Sequence, residues 1–222
     1  PEVVTFETSE NTMQAPLPLD LNTAQQIACS KWNYTSQEVL DTLQRLYETH
    51  CCITYPRTES RYLPSSVSQY TQEIVDAVSQ SQPLLAKIFS GIVATAFEQS
   101  RVFDDDRVDP AHHAIIPTRT PPNQASLNQA ESRLYHLICR YFAAQFYPRH
   151  VFHRSKVLIR LGTDHFQASG TVERVIGWKA VLGAALTRID HAADRDDESL
   201  NPIPYLQPGD ALKIAHVLPS DH

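Results

Sequence analysis

Glycine is scarce in this chain of 222 residues: there are 6, where average usage would give about fifteen. No G-x-x-x-x-G-K-[ST] loop and no G-x-G-x-x-G turn can be written from the sequence. Either would let backbone amides cradle a phosphate, so a mechanism driven by ATP or carried by a dinucleotide is excluded from these residues. Cysteine is sparse too. Cys29, Cys51, Cys52 and Cys139 contain no C-x-x-C pair, which argues for a reduced, cytoplasmic chain rather than a disulfide scaffold. No apolar run approaches the roughly 20 residues needed to cross a bilayer, and no signal-peptide pattern opens the chain. Positive charge is in deficit, with a formal net charge of -6. Taken alone, that counts against a nucleic-acid partner.

What is present divides into three regions. From Glu2 to Pro18 the chain is β-branched and then interrupted by Pro16 and Pro18, the pattern of a strand followed by an exit loop. A strand with no preceding partner, in a chain that opens on Pro1 rather than Met, reads as part of something longer.

From Leu19 to Pro148 the period is helical. Asp20 or Asn22 can cap a short helix carrying Ala24, Ile27 and Ala28. Thr35 with Glu38, and Asn128 with Glu131, have the spacing of reciprocal capping boxes. The first opens a helix with Val39, Leu40, Leu43, Leu46 and Tyr47 on one face. The second opens one with Leu134, Leu137, Ile138, Tyr141 and Phe142 inward. Between them, Val67, Tyr70, Ile74, Val75 and Val78 form one apolar face. Leu84, Leu85, Ile88, Ile92, Val93 and Phe97 form another, weakened at Gly91.

From Arg149 onward the period shifts to two. Val157, Ile159 and Leu161 alternate, Val172 to Ile176 reads as a second strand, and Leu212, Ile214 and Val217 follow a Pro208-Gly209-Asp210 turn. The fold class expected is α+β: a helical domain over 19–148, inserted between a first strand in 1–18 and a β region in 149–222. The β pieces are expected to share one antiparallel sheet. His150 and His153 read as surface histidines, and Trp32 and Trp178 as core or boundary anchors.

The most informative stretch is Cys51-Cys52-Ile53-Thr54-Tyr55-Pro56-Arg57-Thr58-Glu59-Ser60-Arg61-Tyr62-Leu63-Pro64. Pro56 cannot continue a helix, so the segment is irregular. It gathers a phenol, two guanidiniums, hydroxyls and a carboxylate. Arginine's planar fork suits phosphate oxygens. A phenol ionises near pKa 10 and needs neighbouring positive charge to become a good nucleophile. Tyr55 with Arg57 can therefore supply a nucleophile and part of the charge stabilisation for attack on a phosphodiester. The same residue types also make an ordinary polar loop.

The order of these residues is more specific than their composition. Ile53 to Leu63 resembles the active-site tyrosine segment of the type IA DNA topoisomerases, and its Tyr-Pro-Arg form resembles the topoisomerase III branch. Ala111-His112-His113-Ala114-Ile115-Ile116-Pro117-Thr118 resembles the family's His-x-Ala-Ile-x-Pro-Thr motif. Further matches run in family order: Pro16 to Leu21 with Gln25, Leu46-Tyr47-Glu48, Glu131 to Tyr141, Phe166-x-Ala168-x-Gly170, Gly177-Trp178, and Leu206-x-x-Gly209-Asp210. His113 stands where many relatives carry Glu, and Glu59 where Asp is frequent.

The resemblance implies an enzyme, an isomerase, that cuts one DNA strand through Tyr55, passes another strand and reseals without ATP. It implies that Arg57 holds the scissile phosphate, that His112 lies beside it, and that Arg61, Thr58 and Ser60 position the loop or contact DNA. It implies single-stranded DNA as partner and Mg²⁺ as cofactor of the full-length enzyme. It also implies a cytoplasmic, nucleoid-associated location and no membrane partner. The family's metal-binding domain finds no match in these residues, so no metal site is assigned here and Asp104-Asp105-Asp106 and Asp194 to Glu198 are read as solvated. The chain then corresponds to a tyrosine-bearing cap on a β arch, part of a toroidal enzyme and inactive by itself. Two rival readings remain: a helical module that binds DNA or protein without chemistry, and a zinc-stabilised domain using His50, Cys51, Cys52, His112 or His113. The charge is also uneven. Asp190, Asp194, Asp196, Asp197 and Glu198 sit together, while His150 to Ile189 carries six Lys and Arg against Asp164 and Glu173.

Overall fold

A computed structural model describes residues 1–92, 100–108, 112–183 and 202–213. They form a mixture of helices and antiparallel strands in two compact units. One holds residues 1–13, 150–176 and 202–213. The other holds the described residues of 14–149 together with 177–183. Among the described residues no helix is long and apolar enough to cross a membrane.

The first unit is a three-stranded sheet of β1 (Glu2–Met13), β2 (His150–Leu161) and β3 (Asp164–Val175). Both pairings are antiparallel, with Phe6 opposite Val157 and Val157 opposite Ala168. The first three expected β pieces thus share one sheet, and the chain between β1 and β2 builds the helical unit. The second strand of the tight β2–β3 hairpin starts well before Val172, because Gly162 at φ 62° closes the turn. Gly209 and Asp210 lie against the start of β1, where the Gly209 amide donates to Val3 O (2.8 Å) and the Val3 amide donates to Asp210 O (3.0 Å). Ile214 and Val217 lie outside the described residues. His150 is buried rather than superficial: its Nδ1 sits 3.0 Å from Val175 O, and its ring stacks on Phe152 at 5.2 Å. His153 is partly exposed beside Glu10.

The helical unit follows its caps. Asp20, not Asn22, starts α1 (Leu21–Trp32), accepting from the Thr23 amide at 2.7 Å. Both capping boxes form, opening α2 (Ser36–Glu48) and α5 (Gln129–Ala144). Val39, Leu43 and Leu46 of α2 pack inward, as do Leu134, Leu137, Ile138, Tyr141 and Phe142 of α5. Tyr47 departs from its expected core position and is 37% exposed. The face around Val67 and Ile74 is split into a 3₁₀ segment, Ser65–Tyr70, and α3 (Thr71–Ser81). The next helix, α4, is shorter than its periodicity predicts and runs Pro83–Phe89. Pro83 restarts the helix, turning Leu85 and Phe89 inward and leaving Leu84 73% exposed. Val93 and Phe97 lie outside the described residues. Gly91 is tied to packing, since a Cβ there would lie 2.5 Å from Tyr147 Oη, which donates to Ile88 O. Trp178 is fully buried at the start of α6 (Lys179–Leu182), which Arg140 joins to α5 through Val181 O at 2.6 Å. Trp32, by contrast, is only half-buried.

Among the described residues of this unit, Glu131 is the most deeply set carboxylate, at 5% exposure. Burial alone would raise its pKa. The hydrogen bond from Arg45 (2.8 Å), the Asn128 amide (2.9 Å) and the positive charge of Arg45 and His50 outweigh burial and hold the carboxyl below its usual value. Glu131→Gln keeps the capping reach but removes the charge. Because Arg45 is half exposed, the expected loss is about 1 kcal/mol at neutral pH in urea unfolding. A carboxyl with a lowered folded pKa stabilises above its unfolded value of 4.5, and that contribution is lost as pH falls through the folded value. The difference between variant and wild type therefore closes in acid.

Two glycines provide a matched comparison. Gly162 and Gly177 both have left-handed φ, 62° and 54°. A Cβ at Gly162 meets nothing within 4 Å, whereas at Gly177 it would lie 2.3 Å from Pro148 O. Gly162→Ala is expected to cost about 1 kcal/mol, from backbone strain alone, and Gly177→Ala at least about 2–3 kcal/mol. Thermal or denaturant unfolding of the pair checks the ordering.

Candidate active site around Tyr55

Backbone pairing, rather than a long helix or strand, holds the Tyr55 segment. The segment at 112–118 runs between two partners. Ile115 bridges Leu19 on one side, its amide donating to Leu19 O at 2.8 Å, and Pro117 bridges Ile53 on the other. The Thr54 amide donates to Ile116 O at 3.0 Å, and the Thr118 amide to Cys52 O at 3.0 Å. Thr54 Oγ1 donates to Ala114 O and accepts from the Ile116 amide, both at 3.0 Å. The Thr118 hydroxyl donates to Cys51 O at 2.8 Å. Ile53, Ala114, Ile115 and Ile116 are buried beneath these bonds. The tyrosine segment and the histidine motif, more than fifty residues apart, therefore form one irregular platform.

The platform starts directly from α2. Cys51 takes a left-handed φ of 52°, a strained conformation for a residue with a side chain. The Cys52 amide folds back onto Leu46 O at 3.0 Å. Burial pushes the Cys52 thiol up to about 12, so it stays protonated and serves as a small core residue.

On this platform Tyr55 is half-buried, with aromatic rings on two sides. Tyr47 meets it edge-on at 5.6 Å, and His112 does so at 5.7 Å. Arg57 is exposed. Its Nε donates to Gln44 Oε1 at 3.3 Å, and it makes no ion pair among the described residues. His112 is exposed too, while His113 is turned inward, its Nδ1 at 2.8 Å from Ala114 O. Burial holds the His113 imidazole below its usual pKa. Of the adjacent histidines, His112 is the one that reaches Tyr55.

The other residues singled out from the sequence are turned to internal duties. Thr58 is 3% exposed; its hydroxyl donates to His112 O at 2.6 Å and accepts from the Ser60 amide at 3.0 Å. Ser60 Oγ accepts from the Tyr62 amide at 3.2 Å. Arg61 donates from Nε to Pro18 O at 2.7 Å and from a terminal nitrogen to Leu17 O at 2.6 Å. Thr58 thus sets the backbone that carries His112, and Arg61 sets the entry to α1. Gln44 and Tyr47 were not assigned to the site from sequence. Their signal is their spacing: one helical turn apart near the end of α2, they share the face that looks onto the loop.

Among the described residues no group of three or more His, Cys, Asp or Glu is placed to hold a metal ion. Asp105 accepts from the Ser65 amide and Asp104 pairs with Arg107, so each has a local partner. Asp194 to Glu198 lie outside the described residues. Mg²⁺, which the family resemblance implies, thus finds no such ligand set among the described residues.

A family model described as DNA topoisomerase matches residues 1–222. DNA topoisomerase 3 of Pasteurella multocida is 36% identical over 217 residues, covering 95% of this chain and 31% of that protein. DNA topoisomerase 3 of Salmonella typhimurium is 34% identical, covering 95% of this chain and 30% of its own length. The structure of full-length topoisomerase I from Thermotoga maritima is similar in fold, with a TM-score of 0.62 and 21% identity, over 94% of this chain and 32% of that one. The chain spans under a third of the relatives it matches. With its full length matched, and its tyrosine segment and histidine motif joined in one platform, this chain belongs to the type IA DNA topoisomerase family.

Proposed function

We propose that this chain is the tyrosine-bearing part of an enzyme that cleaves one DNA strand, allows another to pass and reseals the first without ATP. The observation that carries this reading is the group formed by Tyr55, Arg57 and His112. A half-buried phenol has an imidazole ring edge-on, with centroids 5.7 Å apart, and a guanidinium on the same loop has no carboxylate partner among the described residues. In the forward step Tyr55 Oη attacks the phosphorus of a backbone phosphodiester and gives up its proton. The 3′ oxygen leaves and takes up a proton, and the 5′ phosphate stays bound as a phosphotyrosine ester. Resealing reverses each bond change, so no nucleotide is consumed. Arg57 neutralises and orients the phosphate, where charge-assisted hydrogen bonds are strongest. His112 hydrogen-bonds the same phosphate through its imidazole. Thr58, Ser60 and Arg61 keep these groups in register and stand behind the DNA contact.

In the complete enzyme the helical unit acts as a cap mounted on a β arch in a toroid, and cap movement opens the gate. Single-stranded DNA is the substrate. Mg²⁺ and the residues that hold it belong to a metal-binding domain of the same enzyme, outside the described residues. A cytoplasmic, nucleoid-associated location follows from that task.

In the intact enzyme, Tyr55→Phe is expected to abolish the covalent DNA adduct seen on denaturing gels. Arg57→Ala should slow cleavage by at least about a hundredfold, the size of one lost charge-stabilising donor, while weakening binding far less. An adduct that survives Tyr55→Phe places the nucleophile elsewhere and favours a binding module without chemistry. The isolated chain should show no Mg²⁺-dependent relaxation of a supercoiled plasmid. Robust relaxation by it would contradict the assignment of the metal to another domain.

A further inference from the structure

The helical unit carries a second feature with the chemistry of nucleic acid, away from the Tyr55 loop. Trp32, the last residue of α1, is half-buried. Lys31 Nζ lies 5.8 Å from its ring centroid, and the Arg133 guanidinium lies 5.8 Å from it as well. Tyr34 stands at 5.8 Å, tilted by 41°, and its hydroxyl accepts from Arg133 at 3.0 Å. Two cations and two aromatic rings from separate elements thus share one spot.

Other cation–aromatic contacts in the helical unit differ in one respect. Arg107 lies over Tyr62 but pairs with Asp104 at 3.2 Å, and Arg119 lies over Tyr70 but pairs with Glu73 at 3.0 Å. Lys31 and Arg133 have no carboxylate partner among the described residues. The carboxylates nearest in sequence are engaged elsewhere: Glu38 caps Thr35, and Glu131 holds Arg45 and Asn128. In a chain of net charge -6, an uncompensated pair of cations around an accessible indole is a local reversal of sign. Aromatic rings bind bases through their faces without regard to sequence, and flanking cations bind the phosphates between bases.

We propose that Trp32, with Lys31, Tyr34 and Arg133, is a contact for single-stranded DNA, separate from the cleavage site and serving to hold a length of strand beside it. The proposal rests on the reading of DNA as substrate. The geometry links the two places, because α1 begins at Leu21, whose amide donates to Thr58 O in the Tyr55 loop. From Leu21 to Trp32 the helix advances about 16 Å at 1.5 Å per residue. That distance corresponds to about five stacked nucleotides at 3.4 Å each. A strand held here would be anchored at a fixed spacing from the scissile phosphate.

The two tryptophans make the test direct, since Trp178 is fully buried and Trp32 is not. The chain is titrated with a thymidylate dodecamer, unlabelled for tryptophan emission and end-labelled for anisotropy. Emission is expected to fall in step with anisotropy. Trp32→Phe should abolish the emission change and keep affinity within about threefold, because Phe still stacks. Lys31→Gln with Arg133→Gln should weaken binding about tenfold and flatten the salt dependence by about 1.4 in log–log slope, the single-strand value for two lost phosphate contacts. Absence of binding, binding with unchanged emission, an unchanged slope in the double variant, or tighter binding of the duplex form would each overturn the proposal. Tyr55 adduct formation, followed in parallel in the intact enzyme, separates the two readings. An adduct formed while the titration fails removes only the Trp32 contact, whereas absence of the adduct removes the cleavage reading itself.

Discussion

Everything at the Tyr55 site depends on the backbone of residues 112–118 lying between Leu19 and Ile53. These short bridges bring the entry to α1, the exit from α2 and the histidine motif into a single layer. A loop carrying a phenol and two guanidiniums would otherwise have many conformations, and ordering each residue costs about 1–2 kcal/mol in backbone entropy. Here that ordering is met by backbone hydrogen bonds over a buried floor of Ile53, Ala114, Ile115 and Ile116. The threonines at 54, 58 and 118 complete it, each donating its hydroxyl to a carbonyl of the opposite segment. Thr58 and Arg61 thus fasten this layer, and Tyr55, Arg57 and His112 are carried on it.

Much of this was legible in the residues, and the exceptions have physical causes. Both capping boxes form because their spacing encodes a complete local structure: two side chains satisfy two amides with no help from the rest of the fold. The strands were less clear: β3 runs Asp164–Val175, although only its last residues carry an apolar period. Tyr47 was misplaced because apolar spacing cannot distinguish a ring that enters the core from one at its rim that meets another ring. The α4 helix was overextended because its apolar spacing continued past Gly91, where Tyr147 occupies the space a side chain would need. His150 looked superficial because a polar residue at a strand start usually is. A carbonyl partner at Val175, 25 residues away, and the Phe152 ring bury it instead.

The site illustrates what a motif does and does not encode. Tyr55, Arg57 and His112 were named from residue order, and the structure places His112 against the Tyr55 ring. That Thr58 and Arg61 position the loop was implied by the resemblance, but their partners, carbonyl groups of His112, Leu17 and Pro18, could not be named that way. A carbonyl has no residue type, so its role as an acceptor leaves no mark on the sequence. Charge behaves similarly: the overall -6 is silent about whether any given cation has a carboxylate beside it.

The pairing of β1 with β2 has a consequence for how the chain reaches this fold. These neighbouring strands are separated by the whole of residues 14–149, whereas β2 and β3 are joined by a tight turn. Closing the longer loop from a random chain carries an entropic cost of about 4 kcal/mol from its length term alone. The helical unit removes most of that cost when it forms, because Gln145 donates to Pro16 O at 2.7 Å and so fastens its last turns to its first residues. A formed helical unit therefore lowers the entropic cost of pairing β1 with β2, whereas the β2–β3 hairpin, closed by its own tight turn, needs no such help.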